Sequence, residues 1–526
     1  MNNPLYLQES YRTMNEPKVH PLIRGSFAFV PSAGMRVAPE ILVLEFMREL
    51  FFENHFGSTT GAKDLNPDEK DDERRYFYSP RERAVLYALR GRRKKTSRGE
   101  AQRFFAPAYP TLARSAWPRK KQERVINKFL LGGPIAQHLW HKGPDVAGKK
   151  SEQDQIVEKI FLAFLGNNSY FEDSPKGKEI LAVTLGTEAF KFPRELPIQK
   201  LKEKTNYSDS IMRLDRDEIA DCITEDMIAI CELEANLPRM QWLQMLMAFL
   251  RFALPMWLLA SMQITCILHK WLLDAVDRSI VPDTATLSRR IEGRNRGLLH
   301  PTLTATRELF EHIEIYIKSR VELSILLYCL EEVRPGQIKD KTLSLSTGSQ
   351  GVLGIEQLLV LAKGASSDIR STERFKNTAN GLDIARFLTR EAEGFSGWRN
   401  PLMNGVGKNI DEFFRVLHRS ELGDEGGGYL FISEGRGTTR GFRVFPGPLL
   451  LKTVTYLAAQ SKGVGKQLDG AGMLVLQDVE DRFGQYGVDF SSAADARPLL
   501  MQELQAMGLL IGSPDAGSSV AVSCPY

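Results

Sequence analysis

The 526 residues exceed what one ordinary core organises, and 43% hydrophobic with 25% charged residues excludes a wholly disordered chain. Five cysteines (Cys222, Cys231, Cys266, Cys329 and Cys524) stand far apart with no C-x-x-C pair, which argues against a disulfide framework or zinc knuckle and fits a reducing compartment. The net charge of +4 conceals an asymmetry: Arg81 to Lys128 holds 15 Lys or Arg against three Glu, a local +12 that leaves −8 for the rest.

In chain order, Met1 to Arg12 is polar and lacks the basic-then-apolar order of a secretory signal, so a cytoplasmic location is expected. Ser26 to Pro31 suits a short strand. Pro39 then opens a helical pattern of Ile41, Leu42, Leu44, Phe46, Met47 and Leu50 that Gly57 stops. The charged run from Lys63 to Arg75 predicts a solvated loop, and the basic region follows it. Together these form a mixed N-terminal domain over 1–150.

A helical domain is expected over 151–336. Ser151 caps a helix carrying Ile156, Val157, Ile160, Phe161 and Phe164, a second helix covers Glu218 to Ala235, and the apolar stretch Trp242 to Leu273 belongs at the domain centre. A last helix from Pro301 to Val333 repeats Leu309, Ile313, Ile317 and Val321 and ends at Pro335-Gly336. Within the apolar stretch, Phe252 to Leu268 is a 17-residue run broken by Ser261, Gln263 and Thr265. A membrane span takes about 20 apolar residues. With Arg251, Pro255, His269 and Lys270 in or beside the run, a buried helix is the expectation and a membrane anchor the alternative.

The segment 337–445 is richer in Gly, Ser, Thr and Asn. It predicts helices at Ile355 to Ala362 and Gly381 to Glu393, a third opened by an Asn409–Glu412 capping box, and a hairpin of Tyr429–Ile432 with Gly441–Phe445. From 446 to 526 come a helix at Pro448–Ala459, a short strand at Met473–Val475, and helices at Gln477–Phe483 and Ala494–Met507. A hairpin of Leu509–Ile511 and Val520–Val522 closes the chain. Three helices followed by a hairpin resembles a winged helix-turn-helix domain, over about 15% of the chain. The expected fold class is therefore mainly α with small β hairpins (α+β), multidomain, with a helical central domain and a C-terminal winged-helix-like domain. A long helical middle, a winged-helix end and no catalytic motif are also similar to accessory subunits of bacterial phage-defence and restriction systems. That likeness implies a non-catalytic subunit of a multiprotein complex.

The basic region is the strongest functional candidate. Arg90, Arg92, Arg93, Lys94, Lys95 and Arg98 fall within nine residues, Arg119, Lys120 and Lys121 form a second cluster, and Tyr87, Phe104, Phe105, Tyr109 and Trp117 are interleaved. Cations neutralise phosphates and release counterions, while aromatic faces stack on bases. Nucleic acid, DNA first, is the expected partner, and an acidic protein surface is the alternative. Arg289, Arg290, Arg294 and Arg296 would extend the anion-binding surface, helix-end ion pairs being an equal reading. The expected recognition helix of the C-terminal domain has Asp495, Arg497 and Glu503 in or beside it, and the preceding helix adds Asp478, Glu480 and Asp481. Phosphates repel that charge, so other protein subunits are the expected partners there.

No motif supports catalysis. Gly405-Val406-Gly407-Lys408 and Gly463-Val464-Gly465-Lys466 lack P-loop spacing, with Asn409 and Gln467 where a hydroxyl would hold magnesium. Asp68, Glu69 and Lys70 lie in a charged loop rather than on the paired strands of a nuclease site. His138 and His141 have no zincin glutamate between them, and no G-x-S-x-G elbow occurs. No catalytic residue, metal or cofactor is expected.

Overall fold

The computed structural model describes residues 20–23, 93–96, 99–102, 218–302, 305–338, 341–344, 352–373, 375–376, 383–394, 431–434, 443–463, 474–491, 495–511 and 520–526. Helices hold 74% of the described part, with a few short strands, so this part is mainly α. The expected elements over 26–57, the helix after Ser151 and the Asn409–Glu412 box lie outside the described residues.

The organising element is a long helix. Helix α1 (Glu218–Glu232) leads through a 3-10 turn (Glu234–Asn236) into α2 (Arg239–Arg278), whose 40 residues extend for about 60 Å at 1.5 Å per residue. Pro255 sits inside α2 and offers no N–H to the preceding turn, yet the helix continues. It ends where Ser279 adopts the left-handed conformation and the Ile280 N–H reaches back to the Asp274 carbonyl at 3.2 Å. Length and apolar composition alone would let α2 cross a membrane. Its most apolar 18-residue window is instead 94% buried within the protein, with Phe249, Phe252, Leu254, Met256, Leu259 and Leu272 inaccessible. The 252–268 run therefore packs as an intramolecular core helix.

The neighbours that bury it follow in sequence. Helix α3 (Thr284–Glu292) is short, and α4 (Ala305–Val333) returns alongside α2. Strands β3 (Thr342–Ser344) and β4 (Val352–Gly354) pair in parallel, and β4 runs straight into α5 (Ile355–Ser371). There the Gln357 side chain accepts from the Gly354 N–H at 3.2 Å. Ile355, Leu358, Leu359, Ala362, Ala365 and Ile369 are buried along α5. That spacing makes one apolar stripe, which faces α2 and α4. Helix α6 (Ile384–Gly394) also packs on both. A short N-terminal piece joins this core: the Pro21–Ile23 turn buries Leu22 and Ile23, and the His20 ring pairs with Glu331 at 3.0 Å. Burial holds the His20 imidazole below its ordinary pKa despite that carboxylate.

Strands β5 (Phe431–Glu434) and β6 (Arg443–Pro446) form an antiparallel pair with Ile432 opposite Phe445. Beyond it come α7 (Pro448–Ser461), β7 (Leu474–Val475), α8 (Leu476–Gln485), α9 (Ala496–Ala506), β8 (Leu510–Ile511) and β9 (Ala521–Val522). The last three strands make one sheet in the order β7-β9-β8, antiparallel throughout, with β8 at an edge. Helix α7 is buried nearly all round and lies against α2. From α8 and the loop after it, Phe483 and Tyr486 meet Phe252 of α2 at ring centroid separations of 5.7 and 5.2 Å. One hydrophobic core thus runs from Ile219 through α2 to Val522.

Candidate nucleic-acid interface

The basic region contributes one described element. Strands β1 (Arg93–Thr96) and β2 (Gly99–Gln102) pair antiparallel across a two-residue connection, a hairpin. Its first strand is Arg93-Lys94-Lys95-Thr96, and the register sets Lys95 opposite Glu100 and Arg93 opposite Gln102. Three successive cations thus ride on extended backbone, at about 3.4 Å per residue. Arg90, Arg92, Arg98, Arg119, Lys120 and Lys121 lie outside the described residues.

The second arginine group forms a knuckle after α2. Asp283 caps α3, accepting from the Thr286 N–H at 2.7 Å and from its hydroxyl at 3.1 Å. Those bonds hold the exposed Asp283 carboxyl below the usual range. Leu287 and Ile291 turn inward, which leaves Arg289 and Arg290 exposed on the last turn. A 3-10 turn (Gly293–Asn295) follows, and Arg296 is exposed just beyond it. Arg294 departs from the expected surface. It is buried, and its Nη1 donates to the Ile291 carbonyl at 3.1 Å, so it braces the turn instead of facing solvent.

The knuckle is fastened to the C-terminal unit. The Asn295 Nδ2 donates to the Gln485 carbonyl at 2.7 Å, the Leu299 N–H to Gly487 at 3.1 Å, and the Asp489 N–H to Leu299 at 2.9 Å. His300 stands between Glu308 (2.8 Å) and Asp489 (3.8 Å). Gly487 is required here. Its φ is +90°, and a Cβ would lie 2.4 Å from the Asn295 carbonyl oxygen and 2.9 Å from Leu298. Gly508 also has a positive φ, +71°, but open space around it. Gly487→Ala should therefore lower stability by at least about 2 kcal/mol and Gly508→Ala by only about 1 kcal/mol, compared by urea denaturation. Equal losses would remove the close-approach explanation.

A buried polar cluster completes the junction. Asp226 of α1 forms an ion pair with Arg482 of α8, both nearly inaccessible, and accepts from the Tyr486 hydroxyl at 2.6 Å. Burial pushes the Asp226 carboxyl up against the pull of Arg482, and pushes the Tyr486 phenol well above its ordinary range. The Cys222 thiol, raised to about 12 by burial and by Asp226, stays protonated and donates to the Gln485 side chain at 3.4 Å. Of these residues only Cys222 stands out in the sequence, as one of five scattered cysteines.

On α9 the positive charge is neutralised. Its single cation, Arg497, is tied to Glu480 at 2.9 Å, while Gln502 and Gln505 are exposed. Among the described residues no group of three or more His, Cys, Asp or Glu is arranged to hold a metal ion. No protein-family model, curated protein or solved structure matches this chain.

Proposed function

We propose that this chain is a non-catalytic, nucleic-acid-binding subunit of a multiprotein assembly. The observation that carries the reading is the cation density of 81–128, 15 against three, with Arg93, Lys94 and Lys95 on one strand of a hairpin. A two-stranded antiparallel ribbon has the width to enter a major groove, and its cations neutralise phosphates on either side. The segment order α7-β7-α8-α9-β8-β9 and the sheet order β7-β9-β8 support reading 446–526 as a winged-helix unit on a helical central domain. Its third helix has no unpaired cation for phosphates, which supports a protein partner for that unit. The broader likeness to phage-defence and restriction accessory subunits agrees with this division of labour, DNA through the basic region and partner proteins through the C-terminal end.

The test is binding of the purified full chain to single- and double-stranded DNA across a salt series. With about six phosphate contacts, log affinity should fall with log salt at a slope near −5 for duplex. No binding at low salt would overturn the reading in favour of a scaffold that grips an acidic protein.

A further inference from the structure

We infer that Arg289, Arg290 and Arg296 form a second phosphate-backbone contact, a rigid knuckle that works with the 81–128 region; this rests on the nucleic-acid reading above. The first support is how other arginines among the described residues are placed. Arg278 pairs with Asp274, Arg307 with Glu311, Arg334 with Asp368, Arg370 with Asp277, Arg386 with Asp383 and Arg497 with Glu480. Among the described residues, none of Arg289, Arg290 or Arg296 meets a carboxylate, although all three are exposed within eight residues of chain. Lys270, Lys363 and Lys376 are exposed too, but singly. Three unneutralised guanidiniums together raise a local positive potential that a polyanion relieves.

Rigidity is the second support. Asp283 caps the helix, Arg294 braces the turn, and the bonds to Gln485, Gly487 and Asp489 pin the loop to the C-terminal unit. Little backbone freedom is therefore lost when a ligand is held, which favours affinity. The residue type is the third. All three are arginine, whose planar fork matches phosphate oxygens in pairs and is more weakly hydrated than an ammonium. Glu292, exposed on the same helix end, is the one carboxylate between Arg289 and Arg296 and works against anion binding.

The experiment uses the full chain and a duplex oligonucleotide over a salt series. Arg289→Gln, Arg290→Gln and Arg296→Gln together should flatten the salt slope by about 2.7 and weaken binding by about 100-fold at roughly 0.15 M salt. Glu292→Gln should tighten binding several-fold, whereas Arg278→Gln with Arg307→Gln, which removes two paired arginines, should leave the slope unchanged. Hydrogen exchange on the wild-type chain should show protection at 284–300 when DNA is added, a readout that needs no variant to fold. Duplex binding with an unchanged slope in the triple variant and no protection at 284–300 would overturn the knuckle and leave the 81–128 reading standing. Loss of all wild-type binding at low salt would overturn both. Competition by polyglutamate as effective as that by DNA would reassign the knuckle to an acidic protein partner.

Discussion

Reversing Arg92, Arg93, Lys94 and Lys95 to Glu should weaken duplex binding by at least about 1,000-fold near 0.15 M salt while leaving the helical core folded. The size follows from counterion release. Each phosphate neutralised contributes about 0.9 to the salt slope, so losing four contacts removes roughly three decades of affinity at that ionic strength, before the new repulsion is counted. The register adds a complication that can be controlled. Lys95 lies opposite Glu100 in the hairpin, so Lys95→Glu sets two like charges across the ribbon and costs it a fraction of a kcal/mol. A parallel variant with Gln at all four positions avoids that pair. If both variants lose binding, the phosphate contacts are responsible; if only the Glu variant does, distortion of the ribbon is. Unchanged binding in both, with circular dichroism unaltered, would remove the hairpin from the interface.

The second large effect concerns the junction of α1 with α8. Asp226→Ala, or Arg482→Met alone, should each lower stability by about 3–5 kcal/mol, because the remaining partner is left buried without its counter-charge. Replacing both together, Asp226→Leu with Arg482→Met, should recover most of that loss, since the desolvation cost of the pair disappears with it. The upward push of burial on the Asp226 carboxyl fits a pair that is expensive to form and more expensive to break. Urea denaturation of the two single variants and the double variant checks this. Additive losses in the double variant would mean that the two residues act independently and that the ion pair is not the source of the effect.

Where the sequence pattern is long, it locates the structure. The apolar stretch Trp242 to Leu273 lies inside α2, Pro335-Gly336 ends α4, and the short C-terminal elements fall within a few residues of their expected bounds. Two kinds of feature escape. Strands β3 and β4 are three residues each in a Ser/Gly/Thr-rich stretch, too short for alternation and composed like turns. The His20–Ile23 piece owes its place to distant groups, Ser324 and Glu331, which no local pattern encodes.

The ion pair, by contrast, left a trace that hydrophobic periodicity can catch. Ile223, Asp226, Met227 and Ile230 occupy helical positions i, i+3, i+4 and i+7, and Val479, Arg482, Phe483 and Tyr486, the last just past the end of α8, keep the same spacing. A charge within each apolar stripe marks a buried partner. Arg294 carries a similar mark, seven residues after Leu287 and three after Ile291, but the charge density of Arg289, Arg290 and Arg296 around it hides which of the four arginines turns inward.

The shared core around α2 has a consequence for anyone dissecting this chain. Removing everything from α7 onward would strip the cover from Phe252 and leave Asp226 without Arg482, so the remaining helices would expose a sticky aromatic face and a stranded acid. Fragments cut there should precipitate or pair with one another instead of behaving as miniature versions of the parent. Point substitutions, not truncations, are the safer means of assigning roles to its two ends.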